Sequence, residues 1–413
     1  MLRLAIITSH PIQYYAPWFQ HLSATAGLNL RVFYLWNFGV TQQADRQFNQ
    51  AIQWDIPLLG GYDHEFVPNT SQRPGTSHFW GLQNPTLMAQ VRAFQPDAVL
   101  MMNYNYASLY RFLWSWHETP LLFRGDSHRL VPETGLKAGL KRQWITQLYK
   151  NFDACLYVGQ ANREYFRYHG VGDDRLFFSP HAIDNSRFMT QAAAADREAA
   201  AWKRDLGIPA DHRVVLFAGK LIPKKRPLDL LQAFLRADLP QVSLLFVGSG
   251  SLEEAVRQQA QASGHGHIYF APFQNQSQMP RTYATGDVLV LPSCGSGETW
   301  GLAINEALCL GTPVIVSDQV GCAADLVKPG ETGLVFPAGD VDALATCLRQ
   351  AFQRQGAEGD RSPLHQWGQA GSIHIGRYSY AQATAGLTEA LSTLVPQPWP
   401  TQEQGPATLP GVG

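Results

Sequence analysis

Short apolar runs closed by turn-forming residues alternate along this chain with longer segments whose apolar positions recur at helical spacing. That rhythm predicts βαβ units and a mainly parallel sheet. In the first half the strand candidates are residues 4–8, 30–35, 98–102, 121–124 and 154–158. Residues 214–218, 242–247, 268–270, 288–291 and 314–317 repeat the pattern in the second half. Between the two sets, 186–212 holds no strand candidate and contains the Ala-rich stretch 191–203, a good helix former. The chain therefore reads as α/β with a parallel-sheet domain in each half, residues 1–185 and 186–375, hinged near 185. After Gly371, the spacing of Tyr378, Tyr380, Ala381, Ala385, Leu387 and Ala390 predicts a last amphipathic helix over 376–394. The Pro-rich tail 395–413 lacks periodicity and is expected to be disordered.

Composition narrows the class. A length of 413 residues suits two or three domains, and 45% hydrophobic against 16% charged residues makes a globular protein. The formal net charge of −1 leaves no basic excess for a nucleic-acid surface. Five cysteines, Cys155, Cys294, Cys309, Cys322 and Cys347, are widely spaced without a C-x-x-C pair and fit a reducing compartment. The apolar run at 4–8 is too short for a signal-peptide core, and no run approaches the roughly 20 residues that cross a bilayer. A cytoplasmic location is expected, with room for peripheral contact on the inner face of the membrane.

Candidate chemistry concentrates in Ser293-Cys-Gly-Ser-Gly-Glu298-Thr-Trp-Gly-Leu-Ala-Ile-Asn-Glu306-Ala-Leu-Cys-Leu-Gly311. A Gly-rich turn follows the strand at 288–291 and leads into a helix over about 300–310 whose apolar residues cover nearly every face, so it should be buried. Glu306 then needs partners, because an unpaired charge there would cost several kcal/mol. Ligand hydroxyls could supply them. Glu298 falls in the turn at the helix N-terminus, where free N–H groups also favour a phosphate. A salt-bridged Glu306 and a capping Glu298 are the purely structural alternative. The second element is Gly219-Lys220-Leu221-Ile222-Pro223-Lys224-Lys225-Arg226-Pro227, four cations on a strand-to-helix loop at the carboxyl edge of a parallel sheet. That edge is where α/β proteins bind ligands, and the cations could neutralise a diphosphate; a merely solvated loop is the alternative.

Together these residues resemble glycosyltransferase family 4, retaining enzymes of the GT-B fold, which implies two Rossmann-like domains facing each other across a cleft and a last helix that packs back towards the first domain. Glu298 and Glu306 meet its Glu-x7-Glu signature, and Gly219-Lys220-Leu221 with Lys225 its G-[R/K]-L-x-x-x-K element. Val247-Gly-Ser-Gly250, Phe273-Gln-Asn275, Met279-Pro-Arg-Thr-Tyr283, the run from Asp287 to Ser293 and the run from Gly311 to Asp318 follow in order. The resemblance is strong over 212–340 and diffuse over the first 185 residues. It implies transfer of a sugar from a nucleotide-diphosphate donor to a saccharide or lipid-linked acceptor, with retention, in cell-surface polysaccharide or glycoconjugate synthesis. No cofactor and no metal are implied. Glu306 would bind the donor ribose, Glu298 would lie against the sugar, and Lys220 and Lys225 would hold the diphosphate. Gly219, Gly248, Phe273, Thr299, Trp300, Gly301 and Leu302 would complete the donor site, Phe273 at the base. Lys220 stands where Arg is more usual. In Leu122-Phe-Arg124-Gly-Asp126-Ser127-His128, either Asp126 or His128 would take the place of the family's catalytic-domain His. Arg124 and His10 are further cleft candidates, and His181-Ala-Ile-Asp184 stands for the family's Asn-Gly-Val-Asp hinge motif.

Other motifs are weaker. Asp340-Val-Asp342 matches a D-x-D metal motif but stands where a helix cap is expected. His265-Gly-His267 lacks a third ligand, and Gly248-Ser-Gly250 lacks the third glycine of a dinucleotide fingerprint, with no acid over 264–276 for a ribose. A GT-B epimerase or phosphorylase, or a non-catalytic partner subunit, would share the architecture. Over 136–152, Leu136, Leu140, Trp144, Ile145 and Leu148 line one side, with Lys137, Lys141, Arg142 and Lys150 around them. Such a helix can lie on an anionic membrane or pack on a core.

Overall fold

The computed structural model of the protein describes residues 1–38, 43–45, 50–52, 54–353 and 363–395; apart from Val395, the tail read at 395–413 lies outside them. The first half supplies β1 (Leu2–Thr8), β2 (Leu28–Tyr34), a hairpin of β3 (Gln43–Asp45) and β4 (Gln50–Ile52), β5 (Asp63–Phe66), β6 (Ala98–Met101), β7 (Leu121–Gly125), β8 (Ala154–Tyr157) and β9 (Leu176–Phe178). The second half supplies β10 (Arg213–Ala218), β11 (Val242–Val247), β12 (Ile268–Ala271), β13 (Val288–Leu291), β14 (Val314–Ser317) and β15 (Gly333–Phe336). They form two parallel sheets, ordered β5-β2-β1-β6-β7-β8-β9 and β12-β11-β10-β13-β14-β15. This is the GT-B arrangement of two Rossmann-like domains.

Helices cover both faces of each sheet, so central strands are buried on both sides and read as unbroken apolar runs. The order reverses between β1 and β6 in one sheet and between β10 and β13 in the other. Each reversal opens a crevice at the carboxyl ends of the strands. Five strands escaped the apolar pattern: the short β3 and β4 of the antiparallel hairpin, β5, which reads Asp-His-Glu-Phe and is only partly buried, β9, which has three residues, and β15, which opens on Gly333.

The helix Asn185–Asp205 starts where the hinge was read, with the Asp184 carboxylate accepting from the Arg187 amide at 2.9 Å. The last helix, Tyr380–Leu394, begins at a Ser379 cap and returns to the first domain, as expected. Its Ala383, Leu387, Ala390 and Leu391 share a core with Leu4, Ile6 and Trp18. Trp18 Nε1 donates to Thr384 Oγ1 at 3.2 Å and Ser179 Oγ to the Ala383 carbonyl at 2.9 Å. Gly386 makes the approach possible, since a Cβ there would lie 1.8 Å from the Phe178 carbonyl oxygen. The chain thus passes between the domains twice, and Asn185 Nδ2 ties the two passages together through the carbonyls of Ile375 (3.2 Å) and Tyr378 (3.3 Å).

Asp340 caps the helix Val341–Phe352 by accepting from the Ala343 amide at 2.9 Å, while Asp342 pairs with Arg236. The helix Leu136–Tyr149 divides its apolar residues: Ile145, Leu148 and Tyr149 enter the core, whereas Leu136, Leu140 and Trp144 stay 82%, 60% and 46% exposed. Among the described residues no helix is long and apolar enough to cross a membrane.

Candidate functional site

Loops from both carboxyl edges meet around a cavity of about 480 Å³. The first domain contributes residues 12–15 after β1, Trp54, Asp126 after β7 and His181 after β9. The second contributes Gly219 and Lys220 after β10, Gly248 after β11, Phe273 after β12, and the turn 297–301 with Leu302 and Ala303. Gly248 has φ 132°, and a Cβ on it would fall 2.1 Å from the Gly219 carbonyl oxygen, so the two loops close the crevice floor only with glycine there. A larger hollow, about 890 Å³, lies around Arg213, Val242, Asp287 and Pro313. Those residues begin or precede β10, β11, β13 and β14, so it sits at the amino edge, away from where helix N-termini and strand-end loops can hold a ligand.

Glu306 lies in the helix Leu302–Cys309, 1% exposed, on the wall of the smaller cavity. Tyr283 donates to its Oε2 at 2.6 Å, while its buried Oε1 makes no well-formed hydrogen bond, with the Tyr14 and Gln276 side chains close to the carboxylate. Burial pushes this carboxyl up to about 7, against the opposing pull of Tyr283, the Arg187 charge, Tyr14 and Gln276. A buried acceptor without a donor costs about 1–3 kcal/mol, a debt that an arriving hydroxyl would cancel.

Glu298 is handled in the opposite way. It is 7% exposed, yet Lys225 Nζ lies 2.5 Å from its Oε2 and Ser293 Oγ donates to the same oxygen at 2.8 Å. Burial alone would raise its pKa; the charges of Lys225 and Lys224, with the Lys225 and Ser293 hydrogen bonds, bring it below the usual value. Lys224 Nζ donates to the Gly297 carbonyl at 2.9 Å, fastening the basic loop to the turn. Lys225, read as a ligand for the diphosphate alone, is therefore also the counter-ion of Glu298. Gly301, at φ 100°, opens the helix Leu302–Cys309 in a left-handed conformation, and with Leu302 it puts the positive end of that helix dipole on the cavity wall.

Across the cleft, Asp126 Oδ2 accepts from Thr299 Oγ1 at 2.7 Å and from His181 Nε2 at 3.3 Å. Burial would raise this carboxyl, but the hydrogen bonds from His181 and Thr299 and the charge on Arg124 hold it down at about 2. Burial and Arg124 lower the His181 pKa, so a neutral imidazole donates to a fixed carboxylate. His128 faces away from this point. Its Nδ1 accepts from the Leu130 amide at 3.2 Å, which leaves Nε2 to donate to the Glu298 carbonyl at 3.2 Å, and it lines a separate side cavity. Of the two alternatives, Asp126 is the one on the main cavity.

Two residues read as cleft-lining sit elsewhere. Arg124 is 3% exposed and spends its guanidinium on the carbonyls of Ser179 and Pro180 (3.2 and 2.8 Å), just before the hinge, because a buried guanidinium must find acceptors locally. His10 packs edge-on against Trp36 and Phe38, and burial lowers it to about 4. The same turn instead sends Tyr14 and Tyr15 to the cavity, with Tyr15 stacked on His181. The adjacent pair of tyrosines one turn past a first-strand terminus was the readable signal. Trp54, Gln276, Met279 and Tyr283 also line the cavity unforeseen.

Trp300 is buried; its Nε1 donates to Asn305 Oδ1 at 2.8 Å, and Asn305 Nδ2 reaches the His181 carbonyl at 3.2 Å. Asp55 of the first domain also accepts from the Ser277 amide at 3.2 Å, and Trp54 meets Phe273 edge-on, so the domains touch at both ends of the cavity.

Residues 198–372 match the family model for glycosyl transferases group 1. The chain is 29% identical over 243 residues, 55% of its length and 62% of the relative's, to a GDP-mannose-dependent alpha-(1-6)-phosphatidylinositol monomannoside mannosyltransferase of Mycolicibacterium smegmatis. It is 29% identical over 245 residues, 57% of its length and 51% of the relative's, to a D-inositol 3-phosphate glycosyltransferase of Nocardia farcinica. The chain thus matches roughly half to three-fifths of these relatives. Anabaena HepE in complex with UDP and glucose superimposes with a TM-score of 0.70 at 17% identity, over 95% of this chain and 100% of that one. Sucrose-phosphate synthase from Thermosynechococcus elongatus gives 0.66 at 18%, over 95% and 99%. These two likenesses establish the fold.

Proposed function

We propose, for a chain whose residues 198–372 belong to the glycosyl transferases group 1, that it moves a sugar from a nucleotide-diphosphate sugar to a saccharide or lipid-borne saccharide. The observation that carries this reading is the buried Glu306 carboxylate on the cavity wall, raised to about 7 by burial and with an Oε1 that makes no well-formed hydrogen bond. A ribose hydroxyl would satisfy it. Lys220, Lys224 and Lys225 line the same cavity beside the turn 297–301, where a diphosphate would find cations and amides together. The mannosyltransferase named above supports a lipid-borne acceptor in glycoconjugate synthesis.

The two acids nearest the turn bear on stereochemistry. Inversion needs a general base for the acceptor hydroxyl, and double displacement a free carboxylate nucleophile. Asp126, at about 2 and held by Thr299 and His181, is a feeble base at neutral pH, and Glu298 is occupied by Lys225 and Ser293. The reading is retention. The acceptor oxygen bonds to the anomeric carbon on the face that the glycosyl–phosphate bond leaves, and the leaving phosphate oxygen takes the acceptor proton. The lysines balance the departing diphosphate without a divalent ion. The check is NMR of the product formed in excess EDTA from a donor of known anomeric form. The same configuration and undiminished turnover are expected. An inverted product, or activity lost to EDTA and restored by Mg²⁺, would overturn the mechanism.

Membrane contact through 136–152 belongs to the same proposal. Leu136, Leu140 and Trp144 are exposed on this helix, and Trp144 stacks on Tyr110 at 6.0 Å, which in turn meets Trp114 and Phe79, with Trp80 beside Phe79. Aromatic and aliphatic residues flanked by cations suit a lipid interface. Flotation with anionic vesicles is expected to carry the protein upward, and Leu140→Glu with Trp144→Ser to abolish this. Flotation of the double variant equal to the parent's would remove the surface from the proposal.

A further inference from the structure

The helix Gln160–Tyr168 of the first domain begins without a cap of its own, because Gly159 before it has no side chain to turn back onto the first amides. The cap comes from the other domain. Both carboxylate oxygens of Asp325, 165 positions along the chain, accept from the Gln160 amide at 3.1 and 3.0 Å. An anion at that end also meets the positive pole of the helix dipole. Gly159 is extended, at φ 177°, so its backbone would suit any residue. What demands glycine there is room, since a Cβ would lie 2.4 Å from the Trp300 ring and 2.7 Å from Asp325 Oδ2.

Asp325 stands between three parts of the molecule. It is 8% exposed, in the second-domain segment Ala323–Leu326. From the return passage, Tyr378 donates to its Oδ1 at 3.2 Å, and His374 Nε2 lies 2.7 Å from its carbonyl oxygen. Trp300, which shares the space at Gly159, belongs to the cavity turn, and its ring centroid lies 5.7 Å from that of His181, the donor to Asp126. Gly159, Gln160 and Asp325 themselves lie outside the main cavity. Their contact therefore exists only while the two domains are together, and it can be altered without touching the cleft wall.

We propose that Asp325 is a positioning residue that fixes the closed cleft, capping a first-domain helix from the second domain so that Asp126 comes to rest on Thr299. It touches no reacting atom. The proposal rests on the glycosyl-transfer reading only for what closure serves, and not for closure itself. The same contact ties closure to a proton. Burial raises the Asp325 carboxyl to about 6, against the Gln160 amide and Tyr378. When Gly159 and Gln160 withdraw, water reaches the carboxylate, and its pKa falls back towards the ordinary value of about 3.9. A group whose pKa is higher in the closed form takes up a proton on closing, so closure strengthens as pH falls through about 6. The titratable groups around it are Tyr378 and His374 from the passage, Tyr157 from β8 and Cys322 from its own segment. Burial raises the two tyrosines and the cysteine, which stay neutral through this range. The nearby charges are Arg377 beyond Tyr378 and Arg163 in the capped helix, paired with Asp173.

The test reads the full chain by hydrogen exchange at the Gln160 amide and by small-angle X-ray scattering. Asp325→Ala removes the acceptors, while Gly159→Ala wedges the contact from the other side and leaves the bond between Asp325 and Tyr378 in place, so a folding defect in the first does not touch the second. In both, exchange at Gln160 is expected to quicken about tenfold or more and the radius of gyration to rise. Asp325→Asn, whose amide oxygen can still accept from Gln160, should restore slow exchange. From about pH 7.5 to 5.5 the parent's radius of gyration is expected to fall and that of Asp325→Asn to stay level. His374 and the two arginines are common to both, so the comparison isolates Asp325. Exchange at Gln160 unchanged in either alanine variant, or the same pH response in the parent and Asp325→Asn, would overturn the inference. UDP and GDP added to the same samples separate the two proposals: failure of both to bind would strike the glycosyl-transfer reading, while the exchange rates still decide the role of Asp325.

Discussion

Glu306→Gln is expected to lower catalytic efficiency about 10²-fold while the protein melts at the same temperature or slightly higher. A charged acceptor for a ligand hydroxyl contributes roughly twice a neutral one, and the loss falls mainly on donor use because Oε1 makes no well-formed hydrogen bond inside the protein. The Tyr283 bond survives, since an amide oxygen can accept where Oε2 did at 2.6 Å. The pH dependence follows from burial raising this carboxyl to about 7. Hydroxyls donate to the ionised form, so donor binding pulls the pKa down and releases a proton. Nucleotide affinity should rise between about pH 6 and 8 in the parent and stay flat in the variant. Stability runs the other way. A folded pKa above the unfolded one contributes stability that is complete below the unfolded value and is lost as pH rises through about 7. The variant should lack that decline. Calorimetric titration of UDP and GDP across this range is the measurement, and parallel pH profiles for the two proteins would mean the donor site is elsewhere.

Lys225→Ala should cost more, about 10² to 10³-fold in efficiency, and unlike the first variant it should destabilise. Removing one member of a fully buried ion pair costs about 3–5 kcal/mol. Here the pair borders a cavity, with side chains 16% and 9% exposed, so about 1–3 kcal/mol is the better expectation. Without Lys225, burial dominates the Glu298 carboxyl and raises it from its lowered value towards the neutral form, although Lys224 and Ser293 remain. Adding Glu298→Gln should recover most of the melting temperature and none of the activity, separating the counter-ion role from the diphosphate role. Thermal melts and donor kinetics of the four proteins in the cycle decide it. Additive melting shifts would show that the pair contributes no coupling.

How far the sequence could be read depended on whether the information was local. β10, β11, β13 and β14 were visible because strands buried on both faces must be apolar throughout. Edge strands such as β5 escape that requirement and so leave no trace. The burial of Glu306 followed from the apolar residues around its helix. The pairing of Glu298 with Lys225 crosses 73 positions and has no local signature. Arg124 misled for a related reason: it stands next to Asp126 in a strand-end motif, but its hydrogen bonds go to Ser179 and Pro180, 55 and 56 positions away. The stripe over 136–152 was real as a periodicity, yet periodicity does not say what lies opposite. Ile145, Leu148 and Tyr149 met the core, whereas Leu136, Leu140 and Trp144 stayed exposed, Trp144 against Tyr110.

The double passage between domains carries a mechanical consequence. Two bodies joined by a single strand of chain can swivel about any axis through the joint. A second strand fixed beside the first, as Asn185 fixes the passage at 374–380 to the one at 180–185, leaves rotation about the line through both as the easy motion. Rotation of one domain against the other about that line would follow a single arc, with the contacts of Asp126 with Thr299 at 2.7 Å and of Asp55 with Ser277 at its closed end. Groups on the two cavity walls would then meet in register because only one path is open to them, so orientational entropy that a flexible tether would have to surrender at each closure has already been removed by the way the chain is routed.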